Sequence, residues 1–289
     1  MKERMKAELN CFNARGFSFP LGARTYLMGI LNVTPDSFSD GGVYLQPEQA
    51  LARALEMQTQ GADILDIGAQ STRPGAQPVS AQEEIERLAP VLDALKGKVC
   101  VPISVDTFFP EVATFALNKG ASIINDVSGK VNPKMADIIK STGAGWVIMH
   151  NGGGAEATHV HYEGGVLKAV RKFFEDALVQ IEHLGLDKEQ ICLDPGIGFG
   201  KSQSENMALL RRLKELKTQG IALLTGASRK RVIATATGEE DAAKREAGTI
   251  AAHTAAIAGG TDIIRVHDVS RGLQGARMAD ALFRNSQEK

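Results

Sequence analysis

The stretch Pro102–Gly129, PISVDTFFPEVATFALNKGASIINDVSG, decides the fold. A short apolar run, Pro102–Val105, ends at Asp106, and Pro110–Lys119 then reads as a helix. A second apolar run, Ser122–Ile124, follows and ends at Asn125-Asp126. Short runs rich in β-branched residues are what fully buried parallel strands require.

Working outward, the same unit occurs eight times: apolar run, polar or glycine-bearing turn, amphipathic helix. The runs are Tyr26–Ile30, Ile64–Ile67, Pro102–Val105, Ser122–Ile124, Trp146–Met149, Ile191–Leu193, Ala222–Leu224 and Ile263–Val266. The helices are expected over Pro47–Gln60, Ser80–Lys96, Pro110–Lys119, Pro133–Ser141, Gly165–Leu184, Ser204–Lys217, Asp241–Ala258 and Ser270–Arg284. Pro47 and Gly61 are a start and stop pair, and Ser80 with Glu83 reads as a capping box. Eightfold strand–helix alternation predicts an α/β protein, a (β/α)8 TIM barrel. An open doubly wound sheet would place a glycine fingerprint after the first strand; here that strand runs into Asn-Val-Thr-Pro-Asp. No Pro/Gly/Ser-rich linker marks a cut, so residues 26–289 are expected to form one barrel domain and residues 1–25 an N-terminal extension. Phe17-Ser-Phe alternates like a strand, so a short hairpin could plug the barrel floor.

Composition narrows the function classes. The 289 residues carry 33 Lys+Arg against 34 Asp+Glu, a net charge of -1. No global charge favours nucleic acid or anionic lipid. No apolar stretch approaches the ~18 residues of a membrane span, and MKERMKAE is no signal peptide, so the cytoplasm is the expected address. Three scattered cysteines make neither a disulfide framework nor a zinc site. Cys100 and Cys192 lie in apolar runs and read as buried thiols.

In such a barrel, chemistry sits where the strands end. The residues just past the runs are Asn32; Gly68 with Ser71-Thr72-Arg73; Asp106; Asn125; His150; Asp194; Ser228-Arg229-Lys230; and Arg265 with His267. Each has a plain alternative. Asp106 and Asp194 could cap the following helices, Asn125-Asp126 could be a turn, and His150 could be a satisfied histidine beside glycine-rich backbone. His159 and His161 lie in a polar loop and read as no metal pair; His183 and His253 read as surface or packing residues. Together the set is more specific. Arg73, Lys230, Arg265 and His267 make a cationic rim suited to phosphate oxygens. Deeper in, Asp106, Asn125 and Asp194 offer the acceptors and donors that a flat, amide-rich heterocycle needs, with Lys230 able to donate to a ring carbonyl or nitrogen.

MGILNVTPDSFSDGG (Met28–Gly42), DIGAQSTRPGA (Asp66–Ala76), ISVDT (Ile103–Thr107), INDVSG (Ile124–Gly129), DPGIGFGK (Asp194–Lys201), GASRK (Gly226–Lys230) and RVHDV (Arg265–Val269) resemble the dihydropteroate synthases. The resemblance runs from about Phe17 to Phe283 and implies condensation of 6-hydroxymethyl-7,8-dihydropterin pyrophosphate with 4-aminobenzoate in folate biosynthesis. It implies a pterin pocket at Asp106, Asn125, Asp194 and Lys230, with Met149 as an apolar wall. Thr72, Arg73, Arg265 and His267 match pyrophosphate-handling positions, Asn32 the magnesium-associated one, and Phe38, Pro74 and Phe199 those that shape the aminobenzoate site. Asp106, Arg73 and Lys230 are implied as catalytic, Mg2+ as the cofactor and a homodimer as the assembly. The chain departs from the family pattern after Met149-His150, where the usual Pro and Met are missing, and at Arg231, where many members carry Ser.

A pterin-binding methyltransferase module serving a corrinoid protein would share barrel and pocket but needs no pyrophosphate cradle, so STRPG, SRK and RVH argue against it. A phosphosugar aldolase needs a Schiff-base lysine within a strand or a metal-histidine set, and Lys230 lies after its strand. Glycines in the first and second loops, after Ser39-Asp40 and at Arg73-Pro74, suggest that the aminobenzoate slot forms only once pyrophosphate is bound.

Overall fold

A computed structural model describes residues 10–33, 47–70, 79–152 and 160–284. The expectations at Phe38, Thr72, Arg73, Pro74 and His159 lie outside the described residues. Ten strands are described: β1 (Cys11–Ala14), β2 (Phe17–Pro20), β3 (Tyr26–Asn32), β4 (Ile64–Gly68), β5 (Ile103–Asp106), β6 (Ile123–Asp126), β7 (Gly145–Met149), β8 (Ile191–Asp194), β9 (Ala222–Thr225) and β10 (Ile263–Val266). Strands β3 to β10 close into one parallel barrel in sequence order, with β10 joining β3. That closure excludes the open doubly wound sheet. Around it lie α1 (Pro47–Thr59), α2 (Ala81–Leu95), α3 (Pro110–Asn118), α4 (Pro133–Thr142), α5 (Val166–His183), α6 (Gln203–Arg211), α7 (Arg231–Thr237), α8 (Glu246–Ala258) and α9 (Val269–Phe283).

Two expected helices are corrected and one is added. The stretch Ser204–Lys217 is α6 followed by a 3-10 turn at Leu213–Glu215, and it starts at the cap Ser202, whose hydroxyl and Glu205 form a full capping box. At the start of Asp241–Ala258, Asp241 caps a separate 3-10 turn, Ala242–Lys244, before α8. The seven-residue α7 went unforeseen, because a helix of two turns leaves too little periodicity to read. At α2, Ser80 accepts from the Glu83 N–H, but the Glu83 carboxylate pairs with Arg87 at 2.6 Å. Cys100 is exposed, not buried. It lies in the lead-in to β5, outside the barrel wall, where an apolar run no longer means a buried strand.

Side chains alternate across each strand, and two cores result. One face packs on the helices through residues such as Leu27, Leu65, Val105, Ile124, Ile148, Leu193, Leu223 and Ile264. The inward face makes a separate apolar floor from Tyr26, Met28, Ile64, Ile123, Val147, Cys192, Ala222, Leu224 and Ile263. The expected hairpin, β1 paired antiparallel with β2, closes this floor. Its Phe12, Ala14 and Phe19 are buried in the same cluster. Gly145 is required there, since a Cβ on it would sit 2.7 Å from Phe12 Cζ. The hairpin tip is tied down by Arg15, whose guanidinium donates to the carbonyls of Leu117 (2.5 Å) and Ala121 (2.9 Å).

One buried acid lies outside this pattern. Glu84, on α2, is fully buried, and neither carboxyl oxygen meets a hydrogen-bond partner among the described residues. Burial pushes its pKa from 4.5 up to about 7, against the opposing pull of the Thr107 hydroxyl and Arg87. The folded state therefore prefers the protonated form. Stability should fall as pH rises from about 4.5 to about 7 and then level off, by roughly 3 kcal/mol in total. Glu84→Gln should remove this slope. Urea unfolding of both proteins between pH 4.5 and 8 reads it, and parallel profiles would refute it.

Candidate active site

The inner face of the barrel changes character one layer above the floor. Ile64, Ile123, Cys192 and Ile263 belong to the apolar cluster. Two residues further along the same strands, hence on the same side, stand Asp66, Asn125, Asp194 and Arg265. These four come from alternate strands, β4, β6, β8 and β10, as a barrel layer should. Asp106 and Met149 end β5 and β7.

This layer is a connected network. Asp66 is fully buried and accepts from Arg265 Nε at 2.7 Å, Ser104 Oγ at 2.6 Å and Asn125 Nδ2 at 3.2 Å. Arg265 also reaches Asp106 Oδ2 at 3.2 Å. Sequence reasoning gave no reason to single out Asp66; its place two residues after the floor residue Ile64 is the signal that could have found it. Of the expected cationic rim, Lys230, Arg265 and His267 are described. The Arg265 charge is already met by two carboxylates. Burial pushes the Asp106 carboxyl above its ordinary range, while Arg265 pulls it back.

Neither aspartate caps a helix, since the caps of α3 and α6 are Phe109 and Ser202. Asn125-Asp126 is not a turn but the end of β6. Asp194 does not face solvent as a free strand-end acid would. It is buried, and its Oδ1 accepts from the Gly196 N–H at 2.7 Å. Burial raises its pKa, opposed by Lys230. Gly196 has φ +66, and a Cβ there would lie 2.0 Å from the His150 carbonyl oxygen, so the tight approach of the two loops needs glycine.

Lys230 enters from the β9–α7 loop. Its ammonium donates to the Ile197 carbonyl at 2.5 Å and lies 4.7 Å from the Phe199 ring centroid. Burial lowers its pKa to about 8, with Asp194 pulling the other way. Ser228 Oγ accepts from the His267 N–H at 3.2 Å and lies 2.9 Å from His267 Nδ1. The hydroxyl can give its own proton to Nδ1 or accept one from it, according to the ring's tautomer. Asn32 stands at the mouth beside Gly68. A Cβ on Gly68 would be 3.7 Å from both Asn32 Oδ1 and Asp106 Cβ, so the missing side chain keeps that corner open.

Two further residues shape the loops. Lys201 is buried and donates to the carbonyls of His150 (3.1 Å), Gly196 (2.8 Å) and Phe199 (2.9 Å). It thereby joins the ends of β7 and β8. His150 was expected to be satisfied. It is buried against Tyr162 and Phe173, and its Nδ1 has no partner among the described residues. Burial, with Lys201 nearby, lowers its pKa to about 3, so it is neutral. His253 is buried, not on the surface.

A barrel with an acidic and amide-bearing inner layer, a lysine over an aromatic ring and a histidine at the last strand end has the makings of a heterocycle-binding enzyme. The family of pterin binding enzymes matches residues 28–267. A dihydropteroate synthase from Synechocystis sp. is 45% identical over 268 residues, 92% of this chain and 93% of that protein. One from Bacillus subtilis is 42% identical over 261 residues, covering 90% and 89%. The solved Xanthomonas albilineans dihydropteroate synthase with 4-aminobenzoic acid has TM-score 0.87 and 40% identity, covering 95% of this chain and 98% of that one. The Burkholderia cenocepacia enzyme complexed with 7,8-dihydropteroate has TM-score 0.86 and 34% identity, covering 97% and 99%. The chain belongs to the pterin-binding enzymes and, within them, to the dihydropteroate synthases.

Proposed function

We propose that the chain condenses 6-hydroxymethyl-7,8-dihydropterin pyrophosphate with 4-aminobenzoate, giving 7,8-dihydropteroate and pyrophosphate, a transferase step of folate biosynthesis. The observation that carries this reading is the inner polar layer on an apolar floor. Asp106, Asn125 and Asp194 present two carboxylates and an amide where a pterin's ring N–H and amino groups need acceptors and its carbonyl a donor. Met149 supplies an apolar wall, and Lys230 donates from the β9–α7 loop. Arg265 and His267, with Thr72 and Arg73, are assigned to the pyrophosphate. Phe38, Pro74 and Phe199 are assigned to the aminobenzoate.

The residues fit a magnesium ion of the substrate-bridging kind. Among the described residues no group of three acidic, histidine or cysteine side chains is gathered for a metal. Mg2+ commonly keeps its waters and takes one or two protein ligands plus phosphate oxygens, and Asn32 offers a neutral amide oxygen at an open corner. When bound there, Mg2+ would stabilise charge gathering on the departing pyrophosphate.

The bond from the pterin methylene to the pyrophosphate oxygen breaks with its electron pair leaving on pyrophosphate. The carbon–nitrogen bond forms to the arylamine, which releases a proton. Burial raises the Asp106 and Asp194 carboxyls and Arg265 and Lys230 pull them back; in their ionised form they favour the positive charge that the pterin ring takes up as the bond breaks. Arg265 and His267 donate to the leaving group. Positioning supplies the rest. Pyrophosphate release should require both substrates, at a rate that falls when either is omitted; release without 4-aminobenzoate, or none with both, would overturn the reading.

The homodimer is supported by α9, where Met278 and Leu282, one helical turn apart, are 60% and 55% exposed. Sedimentation of Leu282→Arg should then give a monomer, and an unchanged dimer would place the interface elsewhere. The proposed address is the cytoplasm; no described helix is long and apolar enough to cross a membrane.

A further inference from the structure

The loop Gly226–Lys230 carries two groups into the mouth, Ser228 toward His267 and the Lys230 ammonium toward Ile197. Its backbone does not hold this shape by itself. Arg229 has φ +58, in the left-handed region that a side chain with a Cβ rarely adopts. What over-determines it lies behind the loop, on and just before α8. Thr249 Oγ1 accepts from the Arg229 N–H at 3.1 Å, and His253 Nε2 accepts from the Ala227 N–H at 3.2 Å. Arg245 donates to the Arg229 carbonyl at 2.8 Å, and the Arg229 guanidinium meets Glu246 at 3.4 Å. Positions 245, 249 and 253 are spaced by four, so they share one helix face. Thr249 and His253 are both buried. His253 can accept at Nε2 only while neutral there, and its burial holds it neutral, with a pKa lowered to about 3.

We propose that Thr249 and His253 are positioning residues for the condensation: their two acceptors fix the Ala227–Arg229 backbone and so aim Ser228 and Lys230 into the pterin pocket. The geometry explains why both are needed. One takes the N–H of the residue before Ser228 and the other the N–H of the residue after it, so the 226–227 and 228–229 peptide units are anchored. With the Arg229 side chain drawn outward to Glu246, its neighbours 228 and 230 turn inward. Neither α8 residue is required to touch substrate.

This inference rests on the proposed function, and its test separates the two. Thr249→Val keeps the shape of threonine and removes the acceptor; Thr249→Ser keeps the acceptor and removes a methyl. A packing role predicts that Val is tolerated and Ser is not. The positioning role predicts the reverse. For Thr249→Val, calorimetric binding of a phosphate-free dihydropterin should weaken about tenfold, as expected for one lost hydrogen bond acting through the loop, and kcat should fall. KM for 4-aminobenzoate should move less than twofold. Thr249→Ser should stay within twofold of the parent throughout. His253→Gln, which offers an amide oxygen to the Ala227 N–H, should likewise outperform His253→Leu at equal thermal stability. If Thr249→Val does not fold, the Gln and Leu pair at 253 decides. Val and Ser, or Leu and Gln, behaving alike in pterin binding would overturn the positioning role. Failure of the parent protein to bind the pterin would instead overturn the functional reading.

Discussion

Asp66→Ala is expected to give the largest loss of stability of any single change at the barrel mouth, about 3 kcal/mol, together with loss of pterin binding. The side chain is fully buried and takes hydrogen bonds from Arg265, Ser104 and Asn125. Removing it leaves three donors without an acceptor, one of them a guanidinium. Breaking a buried ion pair by deleting one partner costs ~3–5 kcal/mol. The lower end applies because Arg265 keeps some contact with water and still reaches Asp106. Asn125 and Arg265 are also the groups assigned to the pterin and its pyrophosphate, so both should lose their aim at once. Chemical denaturation and calorimetry with the pterin pyrophosphate check this. A stability change below about 1 kcal/mol, or unchanged affinity, would show that the network is dispensable.

Asp194→Asn should separate folding from binding. The amide oxygen can still accept from the Gly196 N–H, so the turn after β8 is retained and the thermal midpoint should stay close to the parent's. What is lost is the negative charge toward the pterin. A hydrogen bond to a charged group contributes ~1.5–3 kcal/mol, so the pterin should bind about 10- to 100-fold more weakly. Asp194→Ala should lose that affinity and the Gly196 contact together, and unfold at lower temperature. An Asn variant that binds the pterin like the parent would assign Asp194 to the turn alone.

The barrel was legible because its strands are short, apolar and separated by helices that start and stop on readable residues such as Pro47, Ser80 and Gly61. The eight apolar runs match the eight barrel strands to within a few residues. Site candidates were legible by the same logic, since a polar residue after a buried strand has few structural reasons to be there. Asn32, Asp106, Asn125, Met149, Asp194, Phe199, Lys230, Arg265 and His267 all lie around the described mouth. Asp66 escaped because it sits inside its strand, and only the barrel's inner layers give it a role. The partners of Arg265 escaped because charge pairing across a barrel joins residues about 200 positions apart. The α8 clamp on the β9–α7 loop was invisible for a related reason. Thr249 and His253 read as ordinary helix residues until the loop they hold is placed against them.

The hairpin under the barrel has a consequence for how the chain reaches its fold. Phe12 and Phe19 precede every barrel strand in the sequence, yet the surface they cover includes Cys192, Ala222 and Ile263. That surface does not exist until β10 has paired with β3, which joins Ile263 to Tyr26 across most of the chain. Contacts of such sequence separation form slowly. During synthesis the two phenylalanines therefore wait without that surface while roughly 240 residues emerge, at ~5–20 residues per second. Docking of the hairpin is then the final act of assembly, and the interval before it is when the nascent chain most needs a chaperone.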